Sequence, residues 1–568
     1  MGRVTEPRKQ TKSGEPTSSF TADGHVDAPD NSGLDASVLT GSESSANSHR
    51  PYARESGDLA GSSPHEVSGR QSLEGDKPRA VAHAGEESRA PIVPEKLANS
   101  VVTPEESVEG RGAANGKLGE RNTHRAQERE SVLTYLERVG ERARQKKGEK
   151  FDNLLSHIKM PLLREAFLRL NKKAASGVDE ETWAEYGENL DARLADLQDR
   201  VHRGSYHPHP VRRVYIPKTD GRTRPLGIPA LEDRLLQQAV RMLLEPIYEA
   251  EFLGFSYGFR PHRSQHKALD ALYVALGGKT NWVLDADIRS FYDTIDHGWL
   301  RKFVEHRIGD KRLVRLLMKW LKAGVMEDGK LHEVTEGTPQ GGVISPLLAN
   351  VYLHYALDLW VQQWRKRNAR GQVYIVRYAD DFVMGFQYER DARAMHAALA
   401  ERVAQYGLEL HPEKTRVLRF GRFAQRDSEL DGRVRPETFD FLGFTHICAQ
   451  GPDGRFRLVR RTSRKKRQAR QASLADEIER RKHHRVAEQY GWLSSVLRGH
   501  FNYYGVPGNF PALRSFRDFV RRTWHRALQR RSQRGRWNEA KRDAFDARFT
   551  LPRPRITQPH PLARFALP

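Results

Sequence analysis

Apolar and polar positions change their spacing repeatedly along this chain. Residues 1–130 carry neither a helical nor a strand period, and the tail they form is read as disordered. From Ser131 to Lys150 apolar residues recur at helical spacing in a charged background, and Phe151 to Asn171 continues the pattern. Ala175-Ser176-Gly177-Val178-Asp179 reads as a turn. Residues 205–230 form two strand-like runs about Asp220-Gly221, a hairpin signal. Leu231 to Leu253 is helical. Residues 282–296 and 373–386 are apolar strand stretches, separated by helical patterns at Trp299 to Ala323 and Leu347 to Arg367. Ala392 to Tyr406 predicts an amphipathic helix and Val417 to Phe420 a strand. Beyond residue 460 the chain turns to helices studded with Arg and aromatics, clearest at Tyr490 to Tyr504 and Leu513 to Arg530. Leu551 to Pro568 holds five prolines and predicts an extended course over the surface. The pattern as a whole is α+β, without internal repeats.

The 568 residues suffice for several domains, yet only 38% are apolar, below the usual globular share. The deficit is concentrated in residues 1–130, which hold 16 Lys and Arg against 21 Asp and Glu. Residues 451–568 hold 29 Lys and Arg against 9 Asp and Glu. A region so basic attracts a polyanion, and phosphate neutralisation makes such binding salt-sensitive. No apolar run reaches spanning length and no signal peptide opens the chain, so nucleic acid is preferred to a membrane and the expected location is cytoplasmic. The single cysteine, Cys448, excludes an intramolecular disulfide and a Cys-based zinc cluster.

Chemistry is concentrated at Tyr378-Ala379-Asp380-Asp381, set between Val373-Tyr374-Ile375-Val376 and Phe382-Val383-Met384. Two β-rich runs with a tight break predict a hairpin with two carboxylates at its tip. Such a pair resists ionisation unless a cation compensates it. Asp287 is the third carboxylate, at the end of a strand that runs from Trp282 into Phe291-Tyr292-Asp293. Magnesium uses hard oxygen ligands and few protein carboxylates, and two such ions stabilise both oxygens of an in-line phosphoryl transfer.

With these residues the chain resembles reverse transcriptases of the group II intron type, which also carry maturase activity. The matching blocks run in the family's order. They are Ile216-Pro217-Lys218 with Arg224 to Pro229, Ser256 to Pro261, Asp287 to Asp293, and Thr338 to Pro346. Tyr378 to Asp381, His411 to Thr415 and Phe441 to Phe444 follow, and Val496 to Gly505 resembles the family's domain X signature. The resemblance covers about residues 150–550. It implies a right-hand polymerase with fingers, a palm built on an antiparallel sheet, and a helical thumb. The expected divisions are a disordered acidic tail at 1–128, a helical extension at 129–200, fingers and palm at 201–447, thumb or domain X at 448–550, and a Pro-rich tail at 551–568. Many relatives add a zinc-stabilised endonuclease with paired cysteines, which this sequence does not supply.

The resemblance also implies roles. Asp287, Asp380, Asp381 and the Ile288 backbone carbonyl hold two Mg2+ ions, with Mn2+ as the alternative. Lys218 and Arg224 grip the incoming deoxynucleoside triphosphate. Gln340 lies beside its sugar, Tyr292 gates the 2′ position, and Lys414 protonates the leaving pyrophosphate. The implied partners are an intron RNA template and a DNA primer or target. Two other readings stand beside this one: an RNA-binding maturase with an inactive polymerase, and a domesticated reverse transcriptase of a defence or diversity-generating system. The intact aspartates argue against the first and the long domain X-like segment against the second.

Overall fold

Val132, Leu136, Val139 and Ala143 recur at helical spacing and are buried on one face of α1 (Gly116–Gln145), which packs on α5 (Leu231–Glu249). The computed structural model describes residues 116–217, 223–327, 329–334, 336–338, 341–531 and 537–565. Residues 1–115, the Asp220-Gly221 turn, Lys218 and Gln340 lie outside the described residues. Residues 116–128, expected within the disordered tail, belong to α1, because propagating a helix from a packed segment adds one hydrogen bond per residue. The helix expected over 151–171 is interrupted. Phe151 bridges to Ile308, Leu154–His157 forms a 3-10 turn, and α2 (Met160–Leu168) starts afresh with Pro161 in its first turn. A Thr182–Glu185 capping box opens α3 (Trp183–Glu188), and α4 (Leu190–Arg203) ends at Gly204 with φ 79°.

Next, β1 (Val211–Pro217) and β2 (Thr223–Ile228) pair antiparallel with Val214 opposite Leu226. After α5, α6 (Gln265–Gly277) leads into β3 (Trp282–Asp287). β3 is shorter than the expected 282–296, because Ser290 turns at φ 48° into a 3-10 turn at Phe291–Asp293. The helix expected over 299–323 is two, α7 (His297–Glu305) and α8 (Lys311–Leu321). Asp310 separates them: one carboxylate oxygen caps α8 and the other accepts the Leu155 N–H at 2.8 Å. Two short strands, β4 (Val325–Glu327) and β5 (Lys330–His332), extend the first sheet in the order β2-β1-β4-β5. The next helical stretch is α9 (Ser345–Leu353), a π turn at His354–Asp358, and α10 (Leu359–Arg367). Then β6 (Val373–Tyr378) and β7 (Asp381–Phe386) form the expected hairpin. Past α11 (Glu389–Ala404), β8 (Arg416–Arg419) completes an antiparallel sheet in the order β6-β7-β3-β8.

A further sheet had no counterpart in the sequence reading. After α12 (Ala424–Leu430) come β9 (Phe439–Phe441), β10 (Phe444–Gln450) and β11 (Phe456–Thr462), with β10 in the middle. The division expected at 447/448 falls inside β10. The chain ends in α13 (Arg464–Arg480), α14 (Val486–Tyr504), α15 (Phe510–Gln529) and α16 (Glu539–Arg548). They enclose a core of their own around Leu474, Ile478, Leu497, Phe516 and Trp524. Residues 551–560 carry no helix or strand, but Pro561–Phe565 forms α17, so the extended course stops there. Among the described residues no helix is long and apolar enough to cross a membrane.

Candidate active site

Alternation along β3 sets Val283 and Ala286 in buried layers and carries Asp287 to the strand's end. There Asp287 is the register partner of Asp381, the first residue of β7. Asp381 also faces Tyr378, so Ala379 and Asp380 form the two-residue turn of the hairpin. Ala379 has φ 58°, the left-handed conformation such a turn requires. The turn is held closely from behind, where a Cβ on Gly258 would collide with the Ala379 backbone nitrogen.

Burial, reinforced by Asp287, holds the Asp380 carboxyl above the usual range, with Arg224 and Lys414 opposing. Asp381 is raised well above it by burial, then by Asp285, Asp287 and Asp380. Sequence reading missed Asp285. It sits two residues before Asp287 on the same strand face, and burial pushes it up to about 7 while Arg416, 3.8 Å away, pulls the other way. The spacing of two carboxylates two apart on one strand was the available signal.

The other expected residues fall into three groups. Lys414 reaches this cluster. The turn His411–Thr415 is tied to β3 by the His411 N–H, which donates to the Asp287 carbonyl at 2.8 Å, and Lys414 donates to an Asp287 carboxylate oxygen. Ile288 bridges Leu410 through the Arg289 N–H and the Asp287 carbonyl, a pairing that leaves the Ile288 carbonyl out. Arg224 and Tyr292 are also within electrostatic reach: Asp380 helps burial raise the Tyr292 hydroxyl, and Arg224 opposes it. The Thr338 N–H donates to the Tyr292 carbonyl at 2.8 Å. Gly341, at φ 124°, lies so close to β2 that a Cβ would strike the Gly227 carbonyl oxygen. The two sequence blocks around Arg224 and Gly341 are therefore in contact, while Lys218 and Gln340 themselves lie outside the described residues.

Two further features were not read from the sequence. Arg377, fully buried in β6, makes a bidentate pair with buried Asp358 at 2.7 and 2.5 Å. It also donates to the Ala379 carbonyl at 3.0 Å, to Asn350 and to the Ser256 hydroxyl. A cation inside an otherwise apolar strand was the signal. A cavity of about 430 Å³ next to Asp381 is lined by Asp440, Leu442, Ser463, Lys466 and Tyr503.

The donor set suits a hard divalent cation: Asp287, Asp380 and Asp381 offer oxygens, and burial and mutual repulsion oppose their ionisation, both relieved by a cation. Among the described residues no three Asp, Glu, His or Cys side chains are already gathered as a metal cage; the Asp287 carboxylate is turned to Lys414.

Residues 216–446 match the family described as reverse transcriptase (RNA-dependent DNA polymerase). Protein YkfC of Escherichia coli (strain K12) is 40% identical over 270 residues, 41% of this chain and 70% of that protein. Group II intron-encoded protein LtrA of Lactococcus lactis subsp. cremoris is 38% identical over 241 residues, 42% of this chain but 39% of LtrA. Nuclear intron maturase 3, mitochondrial, of Arabidopsis thaliana is 28% identical over 30% of this chain and 24% of that protein. All of the clustered carboxylates lie inside the matched stretch, and the chain belongs to the reverse transcriptase family, within its group II intron-encoded, maturase-type branch.

Proposed function

We propose that this protein is an RNA-directed DNA polymerase of a group II intron, which extends a DNA primer on an RNA template and also binds its intron RNA to assist splicing and mobility. The observation that carries the reading is the register of Asp287 against Asp381, with Asp380 in the adjoining turn. In this reading the β1–β2 hairpin serves as fingers, the sheet β6-β7-β3-β8 as palm, and α13–α16 as thumb. Asp287, Asp380, Asp381 and the Ile288 carbonyl would hold two Mg2+ ions, which when bound stabilise charge on the attacking and leaving oxygens. Arg224 and Lys218 bind the triphosphate, a task that suits cationic donors. Gln340 and Tyr292 flank the sugar. Lys414, which pairs with Asp287, would give a proton to the leaving pyrophosphate.

The test is Asp380→Ala. Primer extension on an RNA template should vanish while RNA affinity and folding persist. Stability should stay level or rise slightly, since one of several mutually repelling buried carboxylates is gone. Substantial DNA synthesis by the variant would refute the assignment. A parent protein that binds RNA but never extends a primer would leave only the maturase role.

A further inference from the structure

The stretch from Gly337 to Ser345, whose sequence includes Gln340, has two stems tied to different elements. At the first stem the Gly337 N–H donates to the Ile295 carbonyl and the Thr338 N–H to the Tyr292 carbonyl, both at 2.8 Å. His297, buried at the start of α7, donates from Nε2 to the Gly337 carbonyl at 2.6 Å. This stem therefore belongs to the turn that carries Tyr292. The second stem is held by α5. Val343 stands two residues before α9, outside that helix's hydrogen-bond ladder, and its N–H donates to Gln237 Oε1 at 2.9 Å. The Thr338 hydroxyl donates to the Ser345 hydroxyl at 2.9 Å and straps the stems together. Between them Gly341 lies against the Gly227 carbonyl of β2, three residues from Arg224.

Gln237 differs from the other ties. It is 5% exposed, in the middle of a helix otherwise committed to the core, with Leu235, Leu236, Ala239 and Val240 buried around it. An amide in such a place costs free energy unless it is hydrogen-bonded. One turn earlier Asp233 accepts from the Tyr206 hydroxyl and from the His209 N–H. The buried polar side chains of α5 thus hold segments that pack on it, Asp233 at 206–209 and Gln237 at 343. None of the residues given a role in the proposed chemistry lies on α5 itself.

We propose that Gln237 is a positioning residue for the incoming nucleotide. Through Val343 it fixes the loop that joins the Tyr292 turn to β2, and so sets the sugar gate against the triphosphate grip at Arg224. The proposal rests on the polymerase reading, from which gate and grip are taken.

The experiment uses the full chain and Gln237→Met, which keeps the bulk but leaves the Val343 N–H without its acceptor. Leu243→Ala, a cavity elsewhere in α5, controls for mere loss of stability. Primer extension on an RNA template gives kcat and KM for dATP. Equilibrium binding of dATP opposite a template uracil, on a dideoxy-terminated primer with Mg2+, gives affinity without turnover. In Gln237→Met, KM and the dissociation constant should both rise about three- to ten-fold, the factor that one net hydrogen bond carries. Its kcat should stay within about two-fold, because a lost binding contact raises KM alone. Leu243→Ala should lower the melting temperature and keep the parental KM. If Gln237→Met does not melt cooperatively, Thr338→Val, which cuts the strap across the same loop, takes its place with the same expected rise. Parental KM and affinity in the folded variant would overturn the proposal. An equal rise of KM in Leu243→Ala would overturn it as well, since stability alone would then explain the effect. A parent that binds dATP but never extends a primer would remove the polymerase reading and leave Gln237 to be judged on affinity. A parent that does neither would overturn both.

Discussion

Tyr292 and Phe291 share a 3-10 turn, so the strand stretch expected over 282–296, which would have set them on opposite faces, does not reach them. Their surroundings separate them instead. Phe291 is sealed in the core against Tyr352, while Tyr292 retains slight exposure and feels Asp380 and Arg224. In the proposed active site, a ring at Tyr292 packed against deoxyribose leaves no room for a 2′-hydroxyl, the group through which proteins distinguish RNA from DNA. Tyr292→Ala should therefore gain ribonucleotide incorporation selectively. Phe291→Ala should lose activity with both sugars and cost roughly 3–5 kcal/mol in a denaturant melt. Primer extension with each nucleotide type reads both effects. A Tyr292→Ala enzyme that stays active and discriminates as the parent does would sink the gate. At this scale the sequence was legible where chemistry demanded an unusual pairing, as at Asp380-Asp381. Asp285 was overlooked although its spacing from Asp287 was visible; what the sequence could not show was its Arg416 partner, from a strand more than a hundred residues away.

The hairpin β6–β7 was readable because apolar runs flank a two-residue break, and local pattern suffices for that. What stiffens its turn was not, since the support arrives from three distant elements. Arg377 binds Asp358 at the end of the π turn, Asn350 on α9 and Ser256 in the segment beside β6, while donating to the Ala379 carbonyl. Asn350 in turn donates to the Gly258 carbonyl at 2.7 Å, closing the network on the segment that abuts the turn. We expect Arg377 to act as a positioning residue for Asp380. Removing one partner of a buried pair costs about 3–5 kcal/mol, so Arg377→Ala should mainly unfold. Arg377→Lys keeps the charge but loses the bidentate fork. In that variant kcat should drop about ten-fold or more, with KM for deoxynucleotide nearly unchanged, because the turn shifts while the triphosphate grip remains. Steady-state primer extension on the folded fraction, verified by a cooperative melt, provides the check. Parental kcat in a folded Arg377→Lys protein would reduce the network to a purely structural role. The split of residues 299–323 into two helices belongs to the same class of miss, since Asp310 caps α8 while holding Leu155 from a different part of the chain.

Across the whole molecule, net charge was the most legible property and strand partnership the least. The β9–β11 sheet escaped notice because its short strands gain their meaning only from each other and from the aromatic layer of Tyr503 and Tyr504 against Phe444. That layer also joins the C-terminal helices to the sheets, with the Tyr503 hydroxyl donating to the Leu442 carbonyl at 2.9 Å. Function should divide along the charge. Residues 451–568 carry 29 Lys and Arg against 9 acids, whereas residues 1–130 are net acidic and almost without aromatics. Deleting residues 1–115, which stops short of α1, should leave melting temperature, RNA affinity and primer extension close to parental, because so polar a composition has little apolar area to bury. Extending the deletion through residue 150 should lower stability sharply, as it strips Val132, Leu136 and Val139 from the face of α5. Ending the chain after Thr462 should leave folded sheets that bind RNA far more weakly, with a salt dependence flattened by the loss of many phosphate contacts. Filter binding and extension assays on the three truncations separate these outcomes. If the 1–115 deletion and the Thr462 truncation lose RNA affinity equally, the charge does not mark where RNA is held, and the C-terminal helices are not the thumb proposed here.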